Sequence, residues 1–167
     1  YRVYLCCIIE SSEMADPAYL EKYKIETRKV SLGMERIRFD PLADEEVEEV
    51  VVATSAMSLE EWVKAYILSF LTISLYNLPL IFFVVNYLCR EFKVSRIEFI
   101  EFLVKEASEA PGLYPVIERG VNHLRRLTDS ILANKSKLMA TEQLGDEPTT
   151  PTDGLAAIFL EHGDKFY

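Results

Sequence analysis

Ser58-Leu-Glu-Glu-Trp-Val-Lys-Ala-Tyr-Ile-Leu-Ser-Phe70 is the stretch whose reading decides the fold. Ser58-Leu-Glu-Glu61 is a capping box, in which the serine side chain accepts from the third helical amide while Glu61 reaches back to the Ser58 amide. A long helix therefore starts here. Leu59, Trp62, Val63, Tyr66, Ile67 and Phe70 recur at three- and four-residue spacings on one face, with Glu60, Glu61 and Lys64 on the other. Beyond Lys64 the apolar stripe closes around the helix until Pro79, which lacks an amide proton and disfavours helical geometry at Leu78. The helix is expected to break around Tyr76 to Leu78, and a partner of similar length to run from Leu80 to about Phe92 and pack against it as a hairpin.

Further helices follow from the same signals. Ser95-Arg-Ile-Glu98 is a second capping box, opening a helix to about Ser108 with Glu101 and Lys105 as an i,i+4 pair. Pro115 suits a first helical turn, and Ile117, Val121, Leu124, Leu127 and Ile131 form the stripe of a helix to about Lys135. Thr141 to Gly154 carries two Pro, two Gly and four Thr, and reads as a linker. A short helix from Leu155 to about His162 closes the sequence. The expected organisation is 1–57 as strand, loop and connecting segment, 58–138 as a helical domain, and 139–167 as linker and final helix. The fold class is mainly α, a helical bundle with one or two short strands.

Upstream, Val3 to Ile9 is an apolar run without polar alternation, the pattern of a parallel strand covered on both faces. Glu49-Val-Val-Val-Ala-Thr54 is the one other convincing strand, so the sheet partners of the first are expected outside this sequence, as part of a larger α/β barrel protein. Asp16-Pro17 starts a short helix, Pro17 to Tyr23. Ile25 to Leu42 has no steady period, and Asp44-Glu-Glu-Val-Glu-Glu49 reads as a solvated acidic run.

Composition narrows the function classes. The 167 residues carry a formal net charge of −9, which opposes phosphate backbones and argues against nucleic-acid binding. Cys6, Cys7 and Cys89 have neither disulfide-framework nor zinc spacing and fit a reducing, cytoplasmic compartment. No signal-peptide pattern is present. Ala65 to Cys89 holds 25 residues without a charged side chain, enough for a membrane span. Against a span stand Pro79, the interspersed Ser, Thr and Asn residues, and flanks poor in Lys and Arg.

Catalytic signatures are missing: there is no Gly-rich phosphate loop, no His-Glu-x-x-His and no nucleophile motif. His123 reads as a surface or half-buried histidine, and His162 lies far from it in sequence. Glu10 closes the carboxyl end of the first strand, where barrels place their sites. Trp62 and Tyr66, one turn apart, either line a pocket or pack in the core.

Two blocks carry a family resemblance. Met14-Ala-Asp-Pro-Ala-Tyr-Leu-Glu-Lys-Tyr-Lys-Ile-Glu-Thr27 is similar to the turn that follows the last barrel strand of cobalamin-binding radical SAM enzymes. Val50-Val-Val-Ala-Thr-Ser-Ala-Met-Ser-Leu-Glu-Glu-Trp-Val-Lys64 resembles their strand, Thr-containing turn and capped Trp-containing helix. Where members often place Pro and Asn before the Met, this chain has Glu10-Ser-Ser-Glu13.

The resemblance implies a carboxyl-terminal accessory region that shapes a substrate site or a docking surface. The Cys-x-x-x-Cys-x-x-Cys loop is not in this sequence, so no cofactor is expected to bind to this chain alone. A 4Fe-4S cluster, S-adenosylmethionine and cobalamin would belong to the parent enzyme, and the partner would be an upstream catalytic barrel of the same polypeptide. Glu10, Met14, Asp16 and Tyr19 would then sit near the barrel mouth, with Trp62 and Tyr66 as further substrate-facing candidates. A free edge on the first strand would allow homodimers. The competing reading is a stand-alone helical module that binds a partner protein or membrane surface through its apolar hairpin.

Overall fold

The computed structural model describes residues 3–31, 47–77, 81–110, 112–142 and 144–161. Among them the fold is mainly helical, with a three-stranded antiparallel sheet and a separate two-stranded hairpin. The elements are β1 (Cys7–Ile8), α1 (Pro17–Tyr23), β2 (Glu26–Ser31), β3 (Val47–Ala53), α2 (Leu59–Asn77), α3 (Phe82–Glu91), α4 (Arg96–Glu109), α5 (Pro115–Leu132), β4 (Met139–Thr141), β5 (Gly145–Thr149) and α6 (Pro151–Glu161).

Both capping boxes form. The Ser58 amide donates to Glu61 Oε2 at 2.8 Å and the Glu61 amide to Ser58 Oγ at 3.3 Å. At α4 the corresponding distances are 2.9 and 3.1 Å. Asp16 caps α1 by accepting from the Ala18 amide at 2.8 Å, with Pro17 at the first position. Helix α2 ends at Asn77, as Pro79 requires, and α3 is about half its length, so the expected hairpin of equal helices is not what forms. The uncharged segment 65–89 is thus divided between two helices. No helix among the described residues is long and apolar enough to cross a membrane.

The core gathers on α2, α5 and α6. All five residues of the expected α5 stripe, Ile117, Val121, Leu124, Leu127 and Ile131, are buried. Helix α6 lies close on α5 because Gly120 and Gly154 carry no Cβ: one at Gly120 would meet the Phe159 ring at 3.1 Å, and one at Gly154 would meet His123 Nε2 at 2.6 Å. Leu155, Ile158 and Phe159 join the same core. The segment read as a linker, Thr141 to Gly154, thus holds the end of β4, all of β5 and the first turn of α6, which starts at Pro151 and not at Leu155. The i,i+4 expectation on α4 is also redistributed. Glu101 reaches across to Lys64 on α2 at 3.6 Å, and Lys105 pairs with Glu109 at 3.8 Å.

The sheet corrects the reading of the first strand. Its order is β1-β3-β2, and β1 pairs antiparallel with β3 in a two-residue ladder, Cys7 with Val50 and Ile8 with Glu49. Strand β3, in the centre, is the one covered on both faces: Val50 and Val52 are fully buried and Val51 is 6% exposed. Tyr4 and Ile9 are 77% and 66% exposed, because an apolar run is buried only where the topology places layers around it. The unperiodic segment after Ile25 supplies β2. Its outer side is closed by the loop after α5, where the Lys29 amide donates to Asn134 Oδ1 at 3.0 Å and the Ser31 amide to the Lys135 carbonyl at 2.9 Å.

Candidate functional site: an apolar groove and a buried histidine

Helix α2 has two working faces. Trp62, Tyr66 and Phe70 point into the core and contact one another, with ring centroids 5.5 Å apart for Trp62–Tyr66 and 4.6 Å for Tyr66–Phe70. Ala65, Leu68, Ser69, Thr72, Ile73 and Tyr76 occupy the adjoining flank of the helix. With Ile81 and Val85 of the α3 region and Arg96, Ile97 and Ile100 of α4, they line a groove of about 350 Å³, to which Val3 adds its side chain.

The groove is almost wholly apolar. The Thr72 hydroxyl donates to the Leu68 carbonyl at 2.6 Å, which satisfies it within its own helix. Arg96 is the charged residue in the lining. Its guanidinium lies over the Tyr76 ring, 4.9 Å from the centroid, and its Nη2 donates to Asn86 Oδ1 at 3.4 Å.

A second concentration of unusual chemistry lies beneath α6. His123 is 1% exposed, and its Nε2 has no hydrogen-bond partner among the described residues. Burial, with Arg126 adding a smaller repulsion, pulls its pKa down to about 4, so the imidazole is neutral at pH 7. Thr141 Oγ1, equally unpartnered, belongs to a residue whose methyl group flanks the same Gly154. His123 was expected at or near the surface. Its position on the α5 face that receives α6 decides otherwise. His162 lies outside the described residues.

The sequence-predicted residues fall into two separate groups. Glu10 is exposed in the turn after β1, and Met14 is half-buried in a short 3-10 turn, Glu13–Ala15. Asp16 serves as the α1 cap, and Tyr19 stacks on Tyr23 with centroids 4.5 Å apart. Trp62 and Tyr66 are core residues, 6% and 4% exposed, and do not line the groove. The Tyr66 hydroxyl is buried without a partner among the described residues, and burial raises its pKa. The groove residues themselves were not singled out in the sequence. The available signal was the apolar character of α2 on all sides, which leaves a second face in need of cover.

Cys7 adds a third feature. Burial first, and then the neighbouring Glu48 carboxylate, push its thiol up to about 11, while Glu48 is held by Lys137. Such a thiol is a poor nucleophile at neutral pH. Among the described residues no group of three or more His, Cys, Asp or Glu side chains is placed to hold a metal ion. No protein-family model matches this chain, and no curated protein matches it in sequence.

Proposed function

We propose that the chain is the carboxyl-terminal accessory region of a radical SAM enzyme of the cobalamin-binding type, working in the cytoplasm and shaping the substrate site or a docking surface. The observation that carries this reading is the state of the first strand. Val3 to Ile9 is apolar, yet Tyr4 and Ile9 are exposed and β1 lies at the sheet edge with one paired side. Such a strand offers both side-chain surface and free backbone groups to a neighbouring strand layer. The second family-like block adds support, since Val50 to Lys64 adopts the strand, turn and capped helix that the resemblance calls for.

In this proposal chemistry belongs to the parent enzyme. The upstream barrel would hold the 4Fe-4S cluster and S-adenosylmethionine, and a domain before it the cobalamin. Glu10, Met14, Asp16 and Tyr19 would follow the carboxyl end of the last barrel strand and border the barrel mouth.

The test is the complete polypeptide. Its reading frame is expected to encode a Cys-x-x-x-Cys-x-x-Cys loop upstream of Tyr1, and the anaerobically purified protein to cleave S-adenosylmethionine reductively. Glu10→Gln is expected to lower turnover while leaving iron and sulfide content unchanged. A reading frame without that loop, or a complete protein that takes up no cluster, overturns the proposal.

A docking role independent of any barrel is the second reading. It is favoured by the exposed aromatic surface of the α3 region, where Phe83, Tyr87 and Phe92 are 75%, 59% and 63% exposed.

A further inference from the structure

We propose that the groove between α2, α3 and α4 binds an anionic amphiphile with one apolar chain, the tail lying along α2 and the anionic head resting on Arg96. This inference concerns the groove alone and stands whether or not the chain belongs to a radical SAM enzyme.

Size and lining argue for a tail. A volume of about 350 Å³ falls within the range of small-molecule pockets, and apolar walls with few polar groups are their usual construction. Leu68 and Ile73 of α2, Val85 of α3 and Ile100 of α4 supply those walls. Thr72 is satisfied by its own helix, so it makes little demand for a polar ligand atom. The groove lies on the flank of α2 beside Trp62, Tyr66 and Phe70, none of which lines it, and its floor is continuous with the core through Ile100.

Arg96 argues for an anionic head. It has no carboxylate within ion-pair distance among the described residues, in a chain with 27 acidic and 18 basic residues. The acidic neighbours on its own helix are engaged elsewhere: Glu98 on the Ser95 amide and Glu101 on Lys64. Its contacts, the Tyr76 ring and the Asn86 amide oxygen, orient the guanidinium and leave its charge uncompensated. A planar, oriented and exposed guanidinium in the lining of an apolar groove suits a carboxylate or phosphate head.

The charge pattern also selects a monomeric ligand over a bilayer surface. Recognition of anionic membranes draws on clusters of about four to eight basic residues. This region has Arg90, Lys93 and Arg96, and Arg90 is paired with Glu91 at 3.4 Å.

The experiment is calorimetric titration of the full chain with dodecanoate below its micelle-forming concentration, alongside dodecanol, dodecyltrimethylammonium and phosphatidylglycerol vesicles. Saturable binding of one dodecanoate per chain is expected, weakened about tenfold or more when dodecanol replaces it or when Arg96 becomes Gln. Ala65→Trp, which places a large ring in the groove from an exposed helix position, is expected to abolish binding with an unchanged circular dichroism spectrum. Arg96→Gln tests the head group at an exposed site even if Ala65→Trp disturbs α2. The proposal is overturned if dodecanoate does not bind, if it binds no better than dodecyltrimethylammonium, if Arg96→Gln leaves its affinity unchanged, or if vesicles alone bind.

Discussion

Gly154 sits against an imidazole with no room for a side chain, since a Cβ there would stand 2.6 Å from His123 Nε2. Gly154→Ala is expected to destabilise the fold by about 1–3 kcal/mol through overpacking. Adding His123→Ala should recover part of that loss in a double-mutant cycle measured by urea unfolding. His123 also carries a pH dependence whose sign follows from its depressed pKa. The unfolded chain takes up the proton near the ordinary value of 6.5, whereas the folded chain resists until about 4. This group therefore leaves stability untouched above pH 6.5 and lowers it progressively as pH falls through that window. His123→Leu is expected to flatten this component of the stability profile and, by removing an unpartnered nitrogen, to raise stability at pH 7 by about 1 kcal/mol. The two adjacent thiols should separate chemically as well. Cys6 is exposed while the Cys7 pKa is pushed up to about 11, so iodoacetamide at pH 7.5 should modify Cys6 much faster, as read by peptide mass spectrometry.

At the scale of elements, the helix starts were legible because they are local. A capping box needs four residues, and both boxes form as their sequences require. Ser58→Ala is expected to cost about 1 kcal/mol in urea unfolding. The carboxylates of Glu61 and Glu98 are held below the usual range, mainly by the serine backbone amides they accept from. Their capping contribution is present above the ordinary carboxylate pKa and is lost as pH falls through the lowered values. Strand pairing was far less legible. β2 was hidden because Glu26-Thr-Arg-Lys-Val-Ser31 offers little apolar alternation, and its place is set by a ladder to β3 and by backbone contacts with residues about a hundred positions away. The β4–β5 hairpin was likewise masked by a composition of Thr, Gly and Pro that suits loops equally well.

At the scale of the whole molecule, the chain keeps one strand edge open among its described residues. The β2 side is closed by Asn134 and Lys135, whereas β1 has no strand beyond it. The isolated chain is expected to self-associate through that edge in a concentration-dependent way, and Ile9→Lys to shift it towards monomer, as measured by size-exclusion chromatography with light scattering. Val3 reaches the groove but Ile9 is not among its lining residues, so Ile9→Lys should leave dodecanoate binding intact.

By itself the sequence determined the mainly helical class, the beginnings of α1, α2, α4 and α5, and the buried stripe of α5, because caps, prolines and helical periodicity act within a few residues. It also held the resemblance on which the functional proposal rests. Only the tertiary structure decided which apolar run would be central, that His123 would be buried against Gly154, and that the second face of α2 would border a groove. Each of these depends on which elements pack together across long separations in the chain, and burial belongs to that packing and cannot be read from any one segment.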